Sequence, residues 1–381
     1  MAENALDGGK KRPYALTLRR LPEIVSMALA LSVLLGAVRW IGAPPAPTPI
    51  SGEAAGEKYR MYMANQLSDA LDGILSLDRV YWIARDELAA PVPNPECYGE
   101  SDDPAQLDFS KAEKLLDGQS LYFSPDVKLL PGTPVRYYLD DTILAITWKQ
   151  AIDGGVYTFS EIKIAHPSQF RRFLAGGEFG SDKLYVTTEM ARSVNAVVAS
   201  SGDFYSYRQA GTLVYDGIVR RVTNGLVDTC YIDKNGDLLF SSRNDRKNAE
   251  ESQQFVDDNN ILFSLAFGPI LIQDGQVVTP DSYAVGEIND RFPRSALCQL
   301  GKLHYLLAVV NAEGEHQSTP TLHEFGRNLA DSGVRKAYTL DGGQTAVIAM
   351  DGHLINAVLF GYQRRISDII YFATAIPDRK K

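Results

Sequence analysis

From residue 135 onward the chain consists mainly of short apolar runs separated by Gly, Asp and Asn. Runs of this kind, bounded by turn residues, predict β-strands. Lys234-Asn235-Gly236-Asp237 predicts a tight hairpin turn between two of them. The predicted strands are Val135–Leu139, Ile143–Trp148, Gly155–Ala165, Leu184–Val186, Val194–Ser200, Leu213–Tyr215, Thr229–Ile232, Leu238–Phe240, Leu303–Asn311, Ala337–Leu340, Ala346–Met350 and Ile369–Thr374.

Helical patterns are fewer in this region, and they interrupt the strands without a regular alternation. Thr321, three residues before Glu324, resembles a capping box at the start of one of them. The predicted helices are Pro167–Leu174, Ala249–Asn259 and Leu322–Ser332 in this region, and Lys111–Leu116 before it. This mixture predicts an α+β fold with mixed, largely antiparallel sheets flanked by helices.

An uncharged apolar run near the amino terminus extends from Ile24 to Val38. It is preceded by basic residues, namely Lys10, Lys11, Arg12, Arg19 and Arg20. Extended to Ala43, with Trp40 at the interface, the run is long enough for one transmembrane helix. The basic flank predicts a single-pass protein of the cell membrane with a cytoplasmic amino terminus and an extracytoplasmic main domain. A cleaved signal peptide is the alternative.

The segment after the apolar run is rich in Pro, Ala, Gly and Ser and predicts a stalk over residues 44–58. Apolar residues at helical spacing follow from Tyr59 to Leu88. We expect this helix to pack on the domain behind it, with a homodimer as the alternative. The predicted organisation is a basic tail and anchor at 1–43, a stalk at 44–58, a helical juxtamembrane region at 59–134 and the main domain at 135–381.

Composition narrows the possible functions. A hydrophobic content of 45% and a charged content of 22% are typical of a chain with a sizeable core. The net charge of −9 argues against nucleic acid as a partner. The 3 cysteines and 5 histidines show no metal-ligand spacing, so no metal site is predicted. The cofactor stays unknown, and a divalent cation remains an open alternative.

Three segments place polar residues beside Gly or Pro at the end of an apolar run. They are Ser201-Gly202-Asp203, Pro293-Arg294-Ser295 and Asp341-Gly342-Gly343. Because glycine has no side chain, backbone at such a turn can approach a ligand closely. Asp341 at the end of its run is the most informative of these positions.

These segments resemble the phosphodiester glycosidase family, and the resemblance extends in family order from about Gly155 to Ala375. It implies the family's fold and the hydrolysis of a bond between an anomeric carbon and a phosphate. The other matching stretches are Gly155-Val156-Tyr157 through Ile164, Asn195 to Tyr205, Gly211 with Asp216-Gly217, Asp233 to Leu238, Phe267-Gly268-Pro269 with Asp274-Gly275, Thr321-Leu322 with Glu324 and Leu329, and Arg364-Arg365-Ile366-Ser367.

That reaction needs a carboxylate near the sugar and positive charge or N–H donors around the departing phosphate. With the resemblance, this chemistry selects Asp341, Asp203 and Glu324 as catalytic candidates. The predicted substrate-binding residues are Arg294, Ser295, Gly342, Gly343, Thr345, Arg208 and Arg365.

The chain departs from the family pattern at a few positions. The family usually has Asn where Ser201 stands, and Gly followed by Ser where Gln344 and Thr345 stand.

Together, the apolar run near the amino terminus and the family resemblance predict an exported, membrane-anchored hydrolase for a sugar 1-phosphodiester, acting on envelope or exopolysaccharide glycans. The alternative is a non-catalytic envelope protein that binds glycans or assists their assembly with the same cleft.

Overall fold

Antiparallel strands are the main regular secondary structure in this computed structural model, which describes residues 90–284 and 287–376. The helices are α1 (Glu113–Leu116), α2 (Thr187–Ser193), α3 (Ala249–Asn259) and α4 (Leu322–Asp331). The strands are β1 (Tyr98–Ser101), β2 (Val135–Leu139), β3 (Ile143–Ile152), β4 (Gly155–Ile164), β5 (Phe170–Leu174), β6 (Val198–Ser201), β7 (Gly211–Tyr215), β8 (Ile218–Thr223), β9 (Thr229–Asp233), β10 (Leu238–Ser241), β11 (Ile261–Leu265), β12 (Ile270–Gln273), β13 (Gln276–Val277), β14 (Arg294–Gly301), β15 (His304–Asn311), β16 (Lys336–Leu340), β17 (Ile348–Met350), β18 (His353–Leu354) and β19 (Asp368–Phe372).

The strands of the described residues form a nine-stranded sheet, a five-stranded sheet and two smaller ones. The nine-stranded sheet has the order β1-β2-β3-β4-β15-β14-β16-β12-β13, and the five-stranded sheet has the order β18-β17-β6-β19-β5. A three-stranded sheet, β10-β9-β11, and the hairpin β7-β8 complete the set. These sheets with a few separate helices fit the predicted α+β class. Every neighbouring pair of strands in them is antiparallel, so the sheets are antiparallel rather than mixed.

Strand β15 shows how the core is built. Tyr305, Leu307 and Val309 face a core shared with residues of the five-stranded and three-stranded sheets. The intervening Leu306, Ala308 and Val310 face a second core, which includes the apolar side of α4. Successive side chains of a strand point to opposite faces, so a strand buried on both sides reads as a continuous apolar run. This explains why β15 is readily recognised in the sequence.

The prediction of a helix at Pro167–Leu174 was wrong. Pro167–Gln169 is a single 3₁₀ turn, and residues 170–174 form β5, which pairs with β19. The side chain of Arg172 on this strand is fully buried against Asp203 and Asp368. Tertiary pairing and this buried contact therefore override the local helical preference of the segment.

Several predictions concern residues outside the described ranges. The basic tail, the membrane anchor, the stalk and the helix from Tyr59 to Leu88 all lie before residue 90. Within the described residues, no helix has the length and apolar character needed to cross a membrane. The described part of the region predicted as helical and juxtamembrane contains β1, which pairs with β2 and so extends the nine-stranded sheet.

Candidate active site

A cavity of about 490 Å³ opens where the end of β16 meets the start of β14. We call it the Asp341 cavity. Its wall combines residues from distant parts of the chain, and two of these segments come together because Ser295 pairs with Leu340 across β14 and β16. The wall is formed by Phe204, Arg208, Phe267, Gly268, Ala284, Glu287, Phe292, Pro293, Arg294, Leu322, Thr339, Leu340, Asp341, Gly342, Gly343, Gln344, Leu359, Phe360 and Arg364.

The turn after β16 is held tightly against the segment before β14. The Gly343 N–H donates to the Pro293 carbonyl oxygen at 2.9 Å. A Cβ at Gly342 would lie 2.5 Å from that same oxygen, so a side chain does not fit there. Gly343 has a φ of +62°, a conformation that favours glycine. Both glycines are thus required to bring the Asp341 turn against the cavity.

One carboxylate oxygen of Asp341 accepts no hydrogen bond from the rest of the described protein. Its Oδ2 atom is buried and has no hydrogen-bond partner. Burial raises the pKa of the carboxyl to about 6, while the Thr345 hydroxyl and the positive charges of Arg364 and Arg208 oppose the rise. A carboxyl that titrates near neutral pH in a cavity is suited to proton transfer.

Two arginines face this carboxylate. The Arg208 guanidinium lies 4.7 Å from the ring centroid of Phe267, and its Nη1 atom is buried without a partner. Burial lowers the pKa of Arg208, and the charges of Asp341 and Asp203 oppose that shift. Arg364 lies 4.8 Å from the ring centroid of Phe204. Stacking on rings leaves guanidinium N–H groups available for an anion.

The wall also holds residues that sequence reasoning missed. The Thr339 hydroxyl and the Gln344 amide nitrogen are both buried without partners. Glu287 supplies a second carboxylate, and its φ of +40° is unusual for a residue other than glycine. Arg364 stands next to the predicted Arg365. Because neighbours in an extended segment point to opposite sides, the sequence did not reveal which arginine faces the cavity.

Arg294 lines the cavity, but backbone oxygens hold its side chain. It donates to the carbonyl oxygens of Pro320, Glu287 and Asp290, at 3.5, 3.0 and 2.5 Å. Burial lowers its pKa to about 10. These bonds tie the loop before β14 to the start of α4, so Arg294 shapes the wall of the cavity.

Asp203 lies behind the cavity, fully buried. Its Oδ1 accepts from Arg172 at 2.6 Å, and its Oδ2 accepts from the Ala266 N–H at 2.7 Å. Arg172 also donates to Asp368 at 2.9 Å. We call Arg172, Asp203 and Asp368 the buried ion cluster. Both carboxylate oxygens of Asp203 are thus engaged by the fold, and Asp203 is not among the cavity-lining residues.

The remaining candidates are also absent from the cavity wall. Glu324 caps α4 through Thr321 and pairs with Arg291 at 2.7 Å, and the Thr321 N–H contributes most to lowering its pKa. The Thr345 hydroxyl donates to the Gly342 carbonyl. Ser295 is buried, and its hydroxyl has no partner. Arg365 is exposed and donates to the Leu184 carbonyl oxygen at 3.3 Å.

Gly202 connects the buried ion cluster to the cavity. Its carbonyl oxygen accepts from the Asp341 N–H at 3.5 Å, and a Cβ on it would lie 1.8 Å from Asp368 Oδ2.

We expect Gly202→Ala to lower the free energy of unfolding by about 2–4 kcal/mol, because a buried ionic contact must shift. Urea denaturation measures this. Gly326→Ala is the control, with an expected change below about 1 kcal/mol: a Cβ there would lie 3.0 Å from the Thr279 hydroxyl oxygen, a contact that a small side-chain shift relieves, and Ala is favoured within α4. Equal effects would contradict the prediction.

Comparison with known proteins finds one matching family model. Residues 194–373 match the family model described as phosphodiester glycosidase. Over these residues, which are slightly less than half of the chain, the protein is similar to the phosphodiester glycosidase family. The match includes β6, the Asp341 turn and Arg364, whereas residues 155–193, which the sequence resemblance also included, lie before it.

Individual relatives are distant. A prophage-derived uncharacterized protein from Bacillus subtilis, YomE, is 22% identical over 198 residues, which are 50% of this chain and 30% of that protein. The auto-inhibited catalytic domain of zebrafish N-acetylglucosamine-1-phosphodiester alpha-N-acetylglucosaminidase is 17% identical, with a TM-score of 0.45 over 61% of this chain and 83% of that one. A hypothetical protein from Synechocystis is 15% identical, with a TM-score of 0.44 over 63% and 64%.

Proposed function

We propose that this protein hydrolyses a sugar 1-phosphodiester at the bond between the anomeric carbon and the phosphate. The observation that carries the proposal is the buried, unpartnered Oδ2 of Asp341 in a cavity shared with Arg208 and Arg364. The carboxylate provides the negative charge that stabilises an oxocarbenium-like carbon, and the two arginines provide the positive charge that binds a phosphate.

In this mechanism Arg208 and Arg364 hold the phosphate, and Asp341 faces the anomeric carbon. The bond from that carbon to the phosphate oxygen breaks, and its electron pair stays on the oxygen. The oxygen of a water molecule forms the new bond to carbon. One water proton passes through Asp341 to the phosphate product, whose second pKa is about 6. Glu287 is available to orient the water or the sugar hydroxyls.

The mouth of the cavity suits a ring-shaped ligand. Phe360 is 74% exposed and Phe292 is 37% exposed, and both line the cavity. Exposed aromatic side chains beside convergent polar groups are typical of a binding site. The unpartnered donors of Thr339 and Gln344 are then available to sugar hydroxyls or to the phosphate.

We further propose that the protein is exported and anchored in the cell membrane and that it acts on envelope or exopolysaccharide glycans. The support is the apolar run at Ile24–Val38 with its basic flank. Treating intact cells with a protease, and detecting the cleaved domain with antibody, tests the location. Protection of the domain from the protease would contradict an extracytoplasmic position.

The reaction is tested by incubating the full-length protein with N-acetylhexosamine 1-phosphodiesters in heavy-oxygen water. Release of free sugar with the label on the anomeric carbon supports the proposal, because water then attacked carbon. Label on the phosphate indicates a phosphodiesterase and contradicts it. Binding of a glycan with no release of sugar supports the alternative, a non-catalytic glycan-binding protein.

The pH dependence of the reaction follows from Asp341. Burial raises its pKa to about 6, so the ionised fraction in the free protein increases as pH rises through that value. We expect kcat/KM to increase between about pH 5 and pH 7, with a midpoint near 6. Arg208→Met should move the midpoint upward, because the charge of Arg208 lowers this pKa. A midpoint that does not respond to this substitution would assign the titration to another group.

A further inference from the structure

An apolar loop lies at the surface beside the Asp341 cavity. Residues 357–362 read Ala-Val-Leu-Phe-Gly-Tyr and contain no charged side chain. They lie in the connection between β18 and β19, where Phe360 is 74% exposed and Tyr362 is 63% exposed. A run of successive apolar residues at the surface is unfavourable unless it contacts something apolar. We call residues 357–362 the apolar loop.

The backbone of Phe360 has an unusual conformation. Its φ is +62° and its ψ is +9°, in the left-handed region that bulky residues rarely adopt. The next residue, Gly361, also has a positive φ, of +78°. A phenylalanine in this conformation costs free energy, and because its side chain is exposed, burial within the fold does not offset that cost. The loop therefore directs an apolar ring into the surroundings of the domain, as a contact surface would.

Other exposed aromatic residues surround the apolar loop. Phe292 lines the Asp341 cavity together with Phe360. The Tyr207 hydroxyl donates to the Arg365 carbonyl oxygen at 3.5 Å, and Tyr185 exchanges two backbone hydrogen bonds with Ile366, at 2.8 and 3.1 Å. In the described ranges, the aromatic residues that are more than a third exposed are Tyr185, Tyr207, Phe292, Phe360 and Tyr362. All of them thus lie on the apolar loop, at the cavity or against the segment that follows the loop.

The charge beside the apolar loop is positive. Arg364 and Arg365 follow the loop, and no acidic residue occurs between Asp351 and Asp368, in a chain whose net charge is −9. Arg364 lines the Asp341 cavity, whereas Arg365 is exposed and is not part of the cavity wall. Apolar side chains with an adjacent arginine suit a lipid surface, because the apolar groups enter the acyl region while the cation contacts headgroup phosphates.

The size of the apolar loop favours a bilayer over a protein partner. A stable protein interface buries about 800 Å² on each partner, which is more than a single projecting loop supplies. A bilayer needs only a few inserted side chains when the protein is already held beside it, because tethering raises the effective concentration. The sequence predicts such a tether, since the apolar run at Ile24–Val38 precedes the described domain.

We propose that the apolar loop inserts into the surface of a lipid bilayer, with Arg365 beside the headgroup phosphates. Because Leu359 and Phe360 also line the Asp341 cavity, the docked cavity opens at the lipid surface. This inference concerns where the domain lies, and it does not rest on the proposed reaction.

The test attaches a fluorescent label at residue 362 of the full-length protein through Tyr362→Cys. Cys97→Ser removes the cysteine that is partly exposed, while Cys230 and Cys298 are buried. The protein is reconstituted in vesicles of phosphatidylcholine and phosphatidylglycerol whose acyl chains carry a nitroxide quencher. Surface-inserted segments lie about 5–10 Å deep, so we expect the label to lose about half of its fluorescence or more. The same label introduced by Asp126→Cys, at an exposed position outside the cavity, should keep its fluorescence.

A further substitution separates insertion of the loop from proximity created by the tether. Phe360→Asp should restore most of the fluorescence at residue 362, whereas Leu226→Asp, at another exposed apolar position, should not. Both positions are exposed, so neither substitution should unfold the protein. Equal quenching at residues 362 and 126 would overturn the proposal, because tethering alone would then explain it. Absence of quenching at residue 362 would also overturn it and would indicate a surface for a soluble glycan or a protein.

Discussion

Arg172→Met is expected to lower the free energy of unfolding by about 3–5 kcal/mol, the usual effect of removing one partner from a buried ion pair. Arg172 is 1% exposed, and it bonds both Asp203 and Asp368, so methionine leaves two buried carboxylates without their cation. The measurement is urea denaturation followed by fluorescence.

The pH dependence of this variant provides an independent check. Burial raises the pKa of Asp368, the nearby charge of Asp203 raises it further, and Arg172 opposes both. With Arg172 in place the pKa of Asp368 is already raised to about 7, so stability falls as pH rises in the unsubstituted protein too, and it falls more steeply once Arg172 no longer lowers that pKa. We expect the loss of stability between about pH 5 and pH 8 to be larger in Arg172→Met than in the unsubstituted protein.

The matched control is Arg136→Met. Arg136 pairs with Glu100 at 3.2 Å, and the two side chains are 43% and 63% exposed. Exposed ion pairs contribute about 0–1 kcal/mol, so this substitution should have little effect. If both substitutions lower the free energy of unfolding by the same amount, the buried ion cluster does not stabilise the folded protein as the structure indicates.

Asp341→Asn is expected to lower kcat of the proposed sugar 1-phosphodiester hydrolysis about a thousand-fold or more, while the protein still folds. Asparagine keeps the shape of the side chain but removes the charge and the ability to accept a proton. Asp126→Asn, at an exposed position outside the cavity, is the control. Retained activity in Asp341→Asn would exclude Asp341 as the catalytic group and direct attention to Glu287.

The same substitution should increase stability at neutral pH. The pKa of Asp341 is about 6 in the folded protein, above its ordinary 3.8, so ionisation opposes folding as pH rises between these values. We expect Asp341→Asn to raise the free energy of unfolding by about 1–2 kcal/mol at pH 7 and to have little effect at about pH 4. A gain in stability with a loss of activity is the pattern expected of a functional site.

The sequence predicted the position of the Asp341 turn because that signal is local. A strand followed by Asp341-Gly342-Gly343 is recognisable from neighbouring residues alone, and the structure places this turn at the cavity. Glu324 illustrates the limit of local patterns, since the capping box predicted with Thr321 occupies its carboxylate. A residue that caps a helix and one that faces a ligand look alike in a sequence.

Asp203 and Arg294 illustrate a second limit. Each follows an apolar run or a proline, as a ligand-binding residue would, yet tertiary partners engage both: Arg172 holds Asp203, and backbone carbonyls hold Arg294. Arg172 lies on β5, in a segment that was predicted to be helical. Its role was therefore hidden until the pairing of β5 with β19 was known.

The amino-acid sequence by itself determined the α+β class, most of the strands, helices α3 and α4, and the turn that carries Asp341, because periodicity and turn chemistry depend on neighbouring residues. Only the tertiary structure decided which charged groups share a cavity and which neutralise each other in the interior. That choice depends on strand pairing between distant segments, such as β14 with β16, and on which face of a strand each side chain takes.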